Sequence, residues 1–106
     1  MRYKVLITGE PGVTEKATLG DTAALLTSYL TLDSTKEAIG VLLTMETNPV
    51  RFAFGGTTPT QAGTGHMLSP GQSLKLISPT QVSTMMVINH TNGSNAVLQV
   101  TLEYNV

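Results

Sequence analysis

The final stretch of the sequence alternates strictly between apolar and polar side chains. Apolar residues occupy every second position there, at Leu98, Val100, Leu102 and Tyr104, and the positions between them are polar. Successive side chains of a β-strand point to opposite faces of a sheet. The pattern therefore predicts a strand with one buried face, and it is the clearest strand signal in the chain.

A second alternating stretch carries both phenylalanines of the protein. Val50, Phe52 and Phe54 would share one face of a strand, while Arg51 and Ala53 would face the other way. We expect Phe52 to be buried together with the apolar side of the last strand.

Further strands are predicted at residues 3–8, 39–47, 73–77 and 82–89, with Ile39, Val41, Leu43 and Met45 on one face of the second of these. Turns are predicted at residues 9–12, 48–49, 70–71 and at Asn92-Gly93, which is a strong hairpin signal. Residues 33–37 form a polar connection, and residues 55–70 a long loop. Residues 21–32 fit either a helical turn capped by Asp21 or a strand from Leu26 onwards.

About seven short strands separated by Gly, Pro and Asn turns predict an all-β fold. We expect a small antiparallel β-sandwich of jelly-roll type, with an open barrel as the alternative. The 106 residues are enough for one domain, spanning residues 1–106, in which residues 1–12 could form an N-terminal arm.

Charge and cysteine content narrow the function classes. The net charge of −1 creates no field that would attract nucleic acid or an anionic membrane, so neither is expected as a partner. Cysteine is absent, and no apolar run approaches the roughly 20 residues of a membrane span. The basic start breaks at residues 9–12 before a signal-peptide core could form, so we expect the protein to stay in the cell where it is made.

Charged residues are unusually few. They make up 12% of the chain, against about 25% in an average domain. In the sixty residues after Glu46 the only charged residues are Arg51, Lys75 and Glu103. The whole chain has seventeen threonines, which supply much of its polarity. This composition suits either a Thr-rich β protein or a surface covered by neighbouring subunits, because interface cores are depleted in charge. We favour the second interpretation.

No constellation of residues predicts chemistry. The start of a phosphate loop at Gly9 and Gly12 lacks the closing Gly-Lys-Ser/Thr, so an ordinary loop is expected there. His66 and His90 have no third metal ligand at motif spacing, and His66 is expected to fix a loop by hydrogen bonding. We therefore expect no catalytic residues, no cofactor and no metal.

Two further motifs have alternative interpretations. Asn89 and Asn92 each begin a glycosylation pattern, but a hairpin turn is the better explanation without a secretion signal. Arg51, a charge among apolar neighbours, could pair with a carboxylate such as Glu46, reach a partner, or simply face solvent.

Four stretches resemble a family of small bacteriophage virion proteins. Residues 45–60 resemble its "VET-x-x-(I/V)-R-(F/Y)" strand and "G-T-x-P-T" turn, and residues 65–68 its "G-H-x-L". Residues 70–76 and 98–104 resemble its "(P/A)-G-D-x-L-x-L" and "(L/V)-x-V-T-x-E-Y" strands. The chain departs from the family at Gly55 and Gln72, where Asp is usual, and residues 1–36 lie outside the resemblance.

The resemblance implies a structural role in the virion, without enzymatic activity. A capsid decoration or cement protein on the outside of the shell, bound to the major capsid protein and made in the host cytoplasm, is expected. A head-tail connector, a tail-completion protein and a host-surface carbohydrate-binding module are the alternatives. The chain would form a homo-oligomer, with a trimer favoured. The candidate contact residues are Arg51, Gly55, Gly56, Thr57, Thr58, Pro59, Thr60 and His66.

Overall fold

The structure, a computed structural model, describes residues 10–105. Strands dominate this part of the chain. They are β1 (Glu10–Thr18), β2 (Ala24–Leu25), β3 (Ala38–Thr47), β4 (Val50–Ala53), β5 (His66–Leu68), β6 (Ser73–Leu76), β7 (Met86–Asn89) and β8 (Val97–Tyr104). A 3-10 turn (Leu26–Tyr29) and one short helix, α1 (Pro79–Thr84), complete the regular elements of the described residues.

The strands form two four-stranded antiparallel sheets. Sheet I has the order β1-β8-β3-β6, and sheet II has the order β2-β7-β4-β5. The chain crosses from one sheet to the other at most connections, and this order is that of a jelly roll. The predicted all-β antiparallel sandwich is confirmed.

The core lies between the inner faces of the two sheets. The alternation predicted for the last strand is confirmed, because Leu98, Val100, Leu102 and Tyr104 of β8 are buried and the positions between them are only partly buried. Phe52 of β4 is buried in the same core, as predicted. Val41, Leu43 and Met45 of β3 also point inward, whereas Ile39 lies at an irregularity of the β3–β8 ladder and is only partly buried.

The beginning of the described chain differs from the sequence-based expectation. Residues 10–12, predicted as part of a turn, are extended and belong to β1, where Glu10 and Pro11 pair with Tyr104 and Glu103 of β8. The ladder to β8 overrides the local turn preference, and an edge strand with a bulge after Pro11 tolerates a proline. The expected loop after Gly12 is likewise strand up to Thr18. Residues 10–12 of the predicted arm are therefore strand, and its remaining residues, 1–9, lie outside the described residues together with the strand predicted at 3–8.

The strand predicted at residues 82–89 is only half right. Residues 79–84 form α1, and the strand begins at Met86. Ser78 caps the helix by accepting a hydrogen bond at its Oγ from the Gln81 backbone N–H (3.1 Å), and Pro79 occupies the first turn. Both are local signals for the start of a helix, and here they outweigh the apolar pattern that predicted a strand.

Two other predictions need correction. Residues 21–32 form neither the helical turn capped by Asp21 nor the strand from Leu26 over their whole length. Instead, the two-residue strand β2 leads into a 3-10 turn that begins at Leu26. The long loop predicted at 55–70 is interrupted by β5, so the connection from β4 covers residues 54–65.

The turn at Asn92-Gly93 is present but does not join paired strands. Gly93 has a positive φ of 79°, and the Ser94 N–H donates to the Thr91 carbonyl oxygen at 3.0 Å. Because β7 belongs to sheet II and β8 to sheet I, this turn sits within the crossing between sheets. Asn89 is fully buried, so its glycosylation pattern is not available to an enzyme.

Candidate binding surface

Arg51 lies at the centre of the outer side of sheet II. Its neighbours in the ladder are Met67 of β5 and Ile88 of β7. Its Nε donates to His90 Nδ1 (3.2 Å), and its Nη1 donates to the Gly65 carbonyl oxygen (3.0 Å). Within residues 10–105 the guanidinium has no carboxylate at ion-pair distance, so the alternative that Glu46 pairs with it is wrong. Glu46 instead accepts a hydrogen bond from Gln99.

The remaining outward positions of sheet II are apolar. We call this surface the apolar face, and register places on it Leu25, Ala53, Met67, Met86 and Ile88 around Arg51. Leu25 and Met67 are 42% and 49% exposed. Ala53 and Ile88 are buried but stand outside the cluster that forms the core between the sheets. Arg51 is the single charge on this face.

The outward side of sheet I has the opposite character. We call it the hydrated face. Its polar members include Thr14, Lys16, Thr44, Glu46, Ser73, Lys75, Gln99, Thr101 and Glu103, and its apolar positions are Pro11, Leu42 and Val97. Its polar groups bond to each other, as in the Thr14–Thr101 hydroxyl pair (2.6 Å) and the Lys75–Glu103 ion pair. Leu42 is its one exposed large apolar side chain.

The connection 54–65, which holds most of the predicted contact residues, borders the apolar face. Gly55 and Gly56 both have positive φ, and the Thr57 N–H returns to the Phe54 carbonyl oxygen (3.2 Å). A second turn joins the Thr60 N–H to the Thr64 carbonyl oxygen at 3.0 Å. These local bonds give the connection a defined shape.

The predicted contact residues in this connection differ in accessibility. Gly55, Gly56, Thr57, Thr58 and Thr60 are exposed, as contact requires. Pro59 is buried, so it can shape the connection but offers little surface.

Gly65 explains how closely this connection approaches the sheet. Its φ is +110°, and a side-chain Cβ there would lie 2.9 Å from the Phe52 carbonyl oxygen and 3.2 Å from Pro59. Only glycine fits this position without a backbone shift. Its carbonyl oxygen can then accept from Arg51, which ties the end of the connection to the sheet.

His66 does not play the predicted hydrogen-bonding role within the described structure. It is exposed on β5, and its ring stacks near Phe52 with 5.4 Å between centroids. With Ala53, Phe54, Thr57 and Gly65 it lines a shallow depression. His90, by contrast, is hydrogen-bonded, because its Nδ1 accepts from Arg51 Nε.

A polar network that was not predicted from the sequence holds the middle of the connection, at Gln61. The Asp21 carboxylate accepts from the side chains of Gln61 and Asn89, each at 3.0 Å, and from the Gly93 N–H. The hydrogen bond from Asn89, then that from Gly93, lowers the pKa of Asp21 below its ordinary value.

Asn89 is the buried centre of this network. Its amide also donates to Asn95 Oδ1 (2.9 Å), and its Oδ1 accepts from the Ala96 N–H (2.8 Å). One signal could have found it, because Asn89 stands at an inward position of β7 where an apolar residue is expected. A polar side chain there needs buried partners.

Within residues 10–105, no three His, Cys, Asp or Glu side chains group as a metal site would need. In the same part of the chain, no helix has the length and apolarity to cross a membrane.

No protein-family model matches the chain, and no curated protein matches it significantly. A solved structure described as "Bacillus endospore appendages form a novel family of disulfide-linked pili" is similar with a TM-score of 0.49 and 16% identity, over 100% of this chain and 97% of that chain. The likeness is too slight to bear on function.

Proposed function

We propose that this protein is a non-enzymatic bacteriophage virion protein that decorates the capsid. It binds the outside of the shell formed by the major capsid protein through its apolar face and presents its hydrated face to solvent. The observation that carries the proposal is the contrast between these two faces, together with the resemblance of residues 45–76 to small virion proteins.

The composition of the apolar face suits a protein interface. Interface cores are depleted in charge and enriched in methionine and arginine, and this face has two methionines and one arginine. Arg51 uses Nε and Nη1 internally, and its planar fork carries further N–H groups that can reach a carboxylate of the partner. A shell surface with an acidic side chain among apolar neighbours would complement it.

The connection 54–65 adds a preorganised rim to that interface. Arg51 donates a hydrogen bond to Gly65, the last residue of the connection, and Asp21 accepts one from Gln61 near the middle of the connection. A loop that is already ordered loses little conformational entropy when it binds. The exposed threonines at 57, 58 and 60 then offer hydroxyl groups for hydrogen bonds at the edge of the contact.

The test is attachment to shells assembled without this protein, with two aspartate substitutions compared. Met67→Asp places a charge on the apolar face, and Leu42→Asp places one on the hydrated face. The two side chains are 49% and 47% exposed, so the substitutions are matched in exposure. We expect Met67→Asp to weaken attachment at least tenfold. It removes an apolar contact, and its carboxylate, opposite Arg51 in the ladder, would take up the N–H groups that Arg51 offers to the shell. Leu42→Asp should attach as the wild type does.

Three results would contradict the proposal. They are equal loss in both variants, wild-type attachment by Met67→Asp, and release of the wild-type protein by moderate salt. Attachment through an apolar face with one arginine should be nearly independent of salt. Counting copies per particle separates a shell protein, present in hundreds, from a connector ring with about six or twelve copies.

A further inference from the structure

A surface groove runs beside the first half of β1. One wall is formed by residues 10–13, and the other by residues 31–33 and Lys36, with Tyr104 also in the lining. Two apolar side chains are strongly exposed here, Val13 at 69% and Leu32 at 50%. In sheet I, β1 pairs with β8 on one side only, so its other edge has no strand partner among residues 10–105.

The two walls are joined by specific contacts. Glu15 Oε1 accepts from the Thr31 N–H (2.8 Å), and Lys36 Nζ pairs with Glu10 Oε1 (3.0 Å). The Asp33 N–H donates to the hydroxyl oxygen of Tyr104 at 3.0 Å. These contacts tie residues 31–36 to sheet I, so the groove has a defined width before anything enters it.

The charge around the groove is acidic. Glu10 and Asp33 line it, and Glu15 adjoins it through Thr31. Its one cationic lining residue, Lys36, is already paired with Glu10. A basic and apolar segment would therefore complement it.

We infer that this groove receives residues 1–9 of a neighbouring copy of the chain, a stretch we call the leading segment. It contains Arg2 and Lys4 and no acidic residue, which matches the acidic groove. In an extended conformation Tyr3, Val5 and Ile7 would share one side and could cover Val13 and Leu32. Its backbone would pair with the free edge of β1 in the manner of an added strand.

The length of the leading segment favours insertion into the groove of a neighbouring copy over insertion into the groove of the same chain. Nine extended residues span about 30 Å, enough to cross to an adjacent copy. Glu10 and Pro11 are already paired with β8, so a return to the chain's own groove would need a reversal at Thr8 and Gly9. A two-residue hairpin of type I′ or II′ needs positive φ at its first residue, which β-branched threonine disfavours.

The first experiment uses a variant lacking residues 2–9 and a fluorescent peptide with the sequence of residues 1–9. We expect saturable binding of the peptide, measured by anisotropy. Binding should weaken at least tenfold when the peptide carries Val5→Asp, and similarly when the protein carries Leu32→Asp. Leu42→Asp is the matched control at 47% exposure, against 50% for Leu32, and should bind as the parent does. No binding, or equal loss with Leu32→Asp and Leu42→Asp, overturns the inference.

The second experiment distinguishes a neighbour's segment from the chain's own. By native mass spectrometry the full chain should be oligomeric, and the variant lacking residues 2–9 should be monomeric. Mixing that variant with full-length Leu32→Asp should restore hetero-oligomers, because one supplies the groove and the other the segment. A monomeric full chain, or unchanged oligomers after the deletion, overturns the inference. Neither measurement involves capsid shells, so the result is independent of the proposed attachment.

Discussion

The two outer faces of the sandwich each belong to a four-stranded antiparallel sheet, but they differ sharply in their side chains. On sheet I, hydroxyl, amide and charged groups satisfy one another, as Lys75 does with Glu103. On sheet II, Leu25, Met67 and Met86 surround one arginine. A face whose polar groups are already paired gains little from contact, whereas an apolar face gains whenever it is covered. This difference is the basis for the proposed division into a binding face and a solvent face.

One core between the two sheets holds both outer faces in place. Phe52→Ala should therefore cause the largest loss of stability among the variants considered. Phe52 is buried on β4 with the inward residues of β8 from the opposite sheet. Its truncation should lower the free energy of unfolding by about 3–5 kcal/mol. Chemical denaturation followed by circular dichroism measures this loss. A loss below about 1 kcal/mol would mean that the sheets do not depend on a shared core at this position.

Arg51→Lys tests the role of the one charge at the centre of the apolar face. Lysine keeps the charge but cannot hold His90 and the Gly65 carbonyl oxygen together with one planar group. We expect about 1 kcal/mol less stability and faster amide hydrogen exchange in residues 54–65.

The matched control for Arg51→Lys is Lys75→Arg on the hydrated face. Arginine can keep the pair with Glu103, so exchange in residues 54–65 should stay unchanged. Similar exchange rates in both variants would show that Arg51 does not order the connection.

The smallest effect is expected from acid titration of Asp21. Hydrogen bonds from Asn89 and Gly93 lower the pKa of this carboxyl in the folded protein. Its contribution to stability is therefore complete above the ordinary pKa of about 4 and is lost as the pH falls through the lowered folded value. The difference in Tm between wild type and Asp21→Asn should be constant above about pH 5 and shrink below pH 4. A difference that does not change with pH would contradict this role.

Local sequence patterns predicted strands and their buried faces correctly where a single signal applied to the element. The alternation of β8 decided which of its side chains are buried, and the facing of Val50, Phe52 and Arg51 on β4 was also predicted correctly. The pattern failed where signals competed. At residues 10–12, pairing with β8 overrode Pro and Gly, and at Ser78-Pro79 a helix start interrupted an apolar run.

The candidate surface could be predicted only in part. Arg51 and residues 55–60 were identified because one charge among apolar neighbours and a long loop stand out in a sequence. Leu25, Met67, Met86 and Ile88 were not, because each looks like an ordinary core residue until strand register shows which side it faces. The groove beside β1 was missed because its walls are about twenty residues apart in the chain.

Alternation and turn residues act between near neighbours in the chain, so the all-β antiparallel sandwich could be predicted from the amino-acid sequence alone. Only the tertiary structure decided that the strands pair in the order β1-β8-β3-β6 and β2-β7-β4-β5, and that apolar side chains from four strands meet on one outer face. Strand pairing joins residues distant in the chain, and a register change of one residue would turn every side chain to the opposite face.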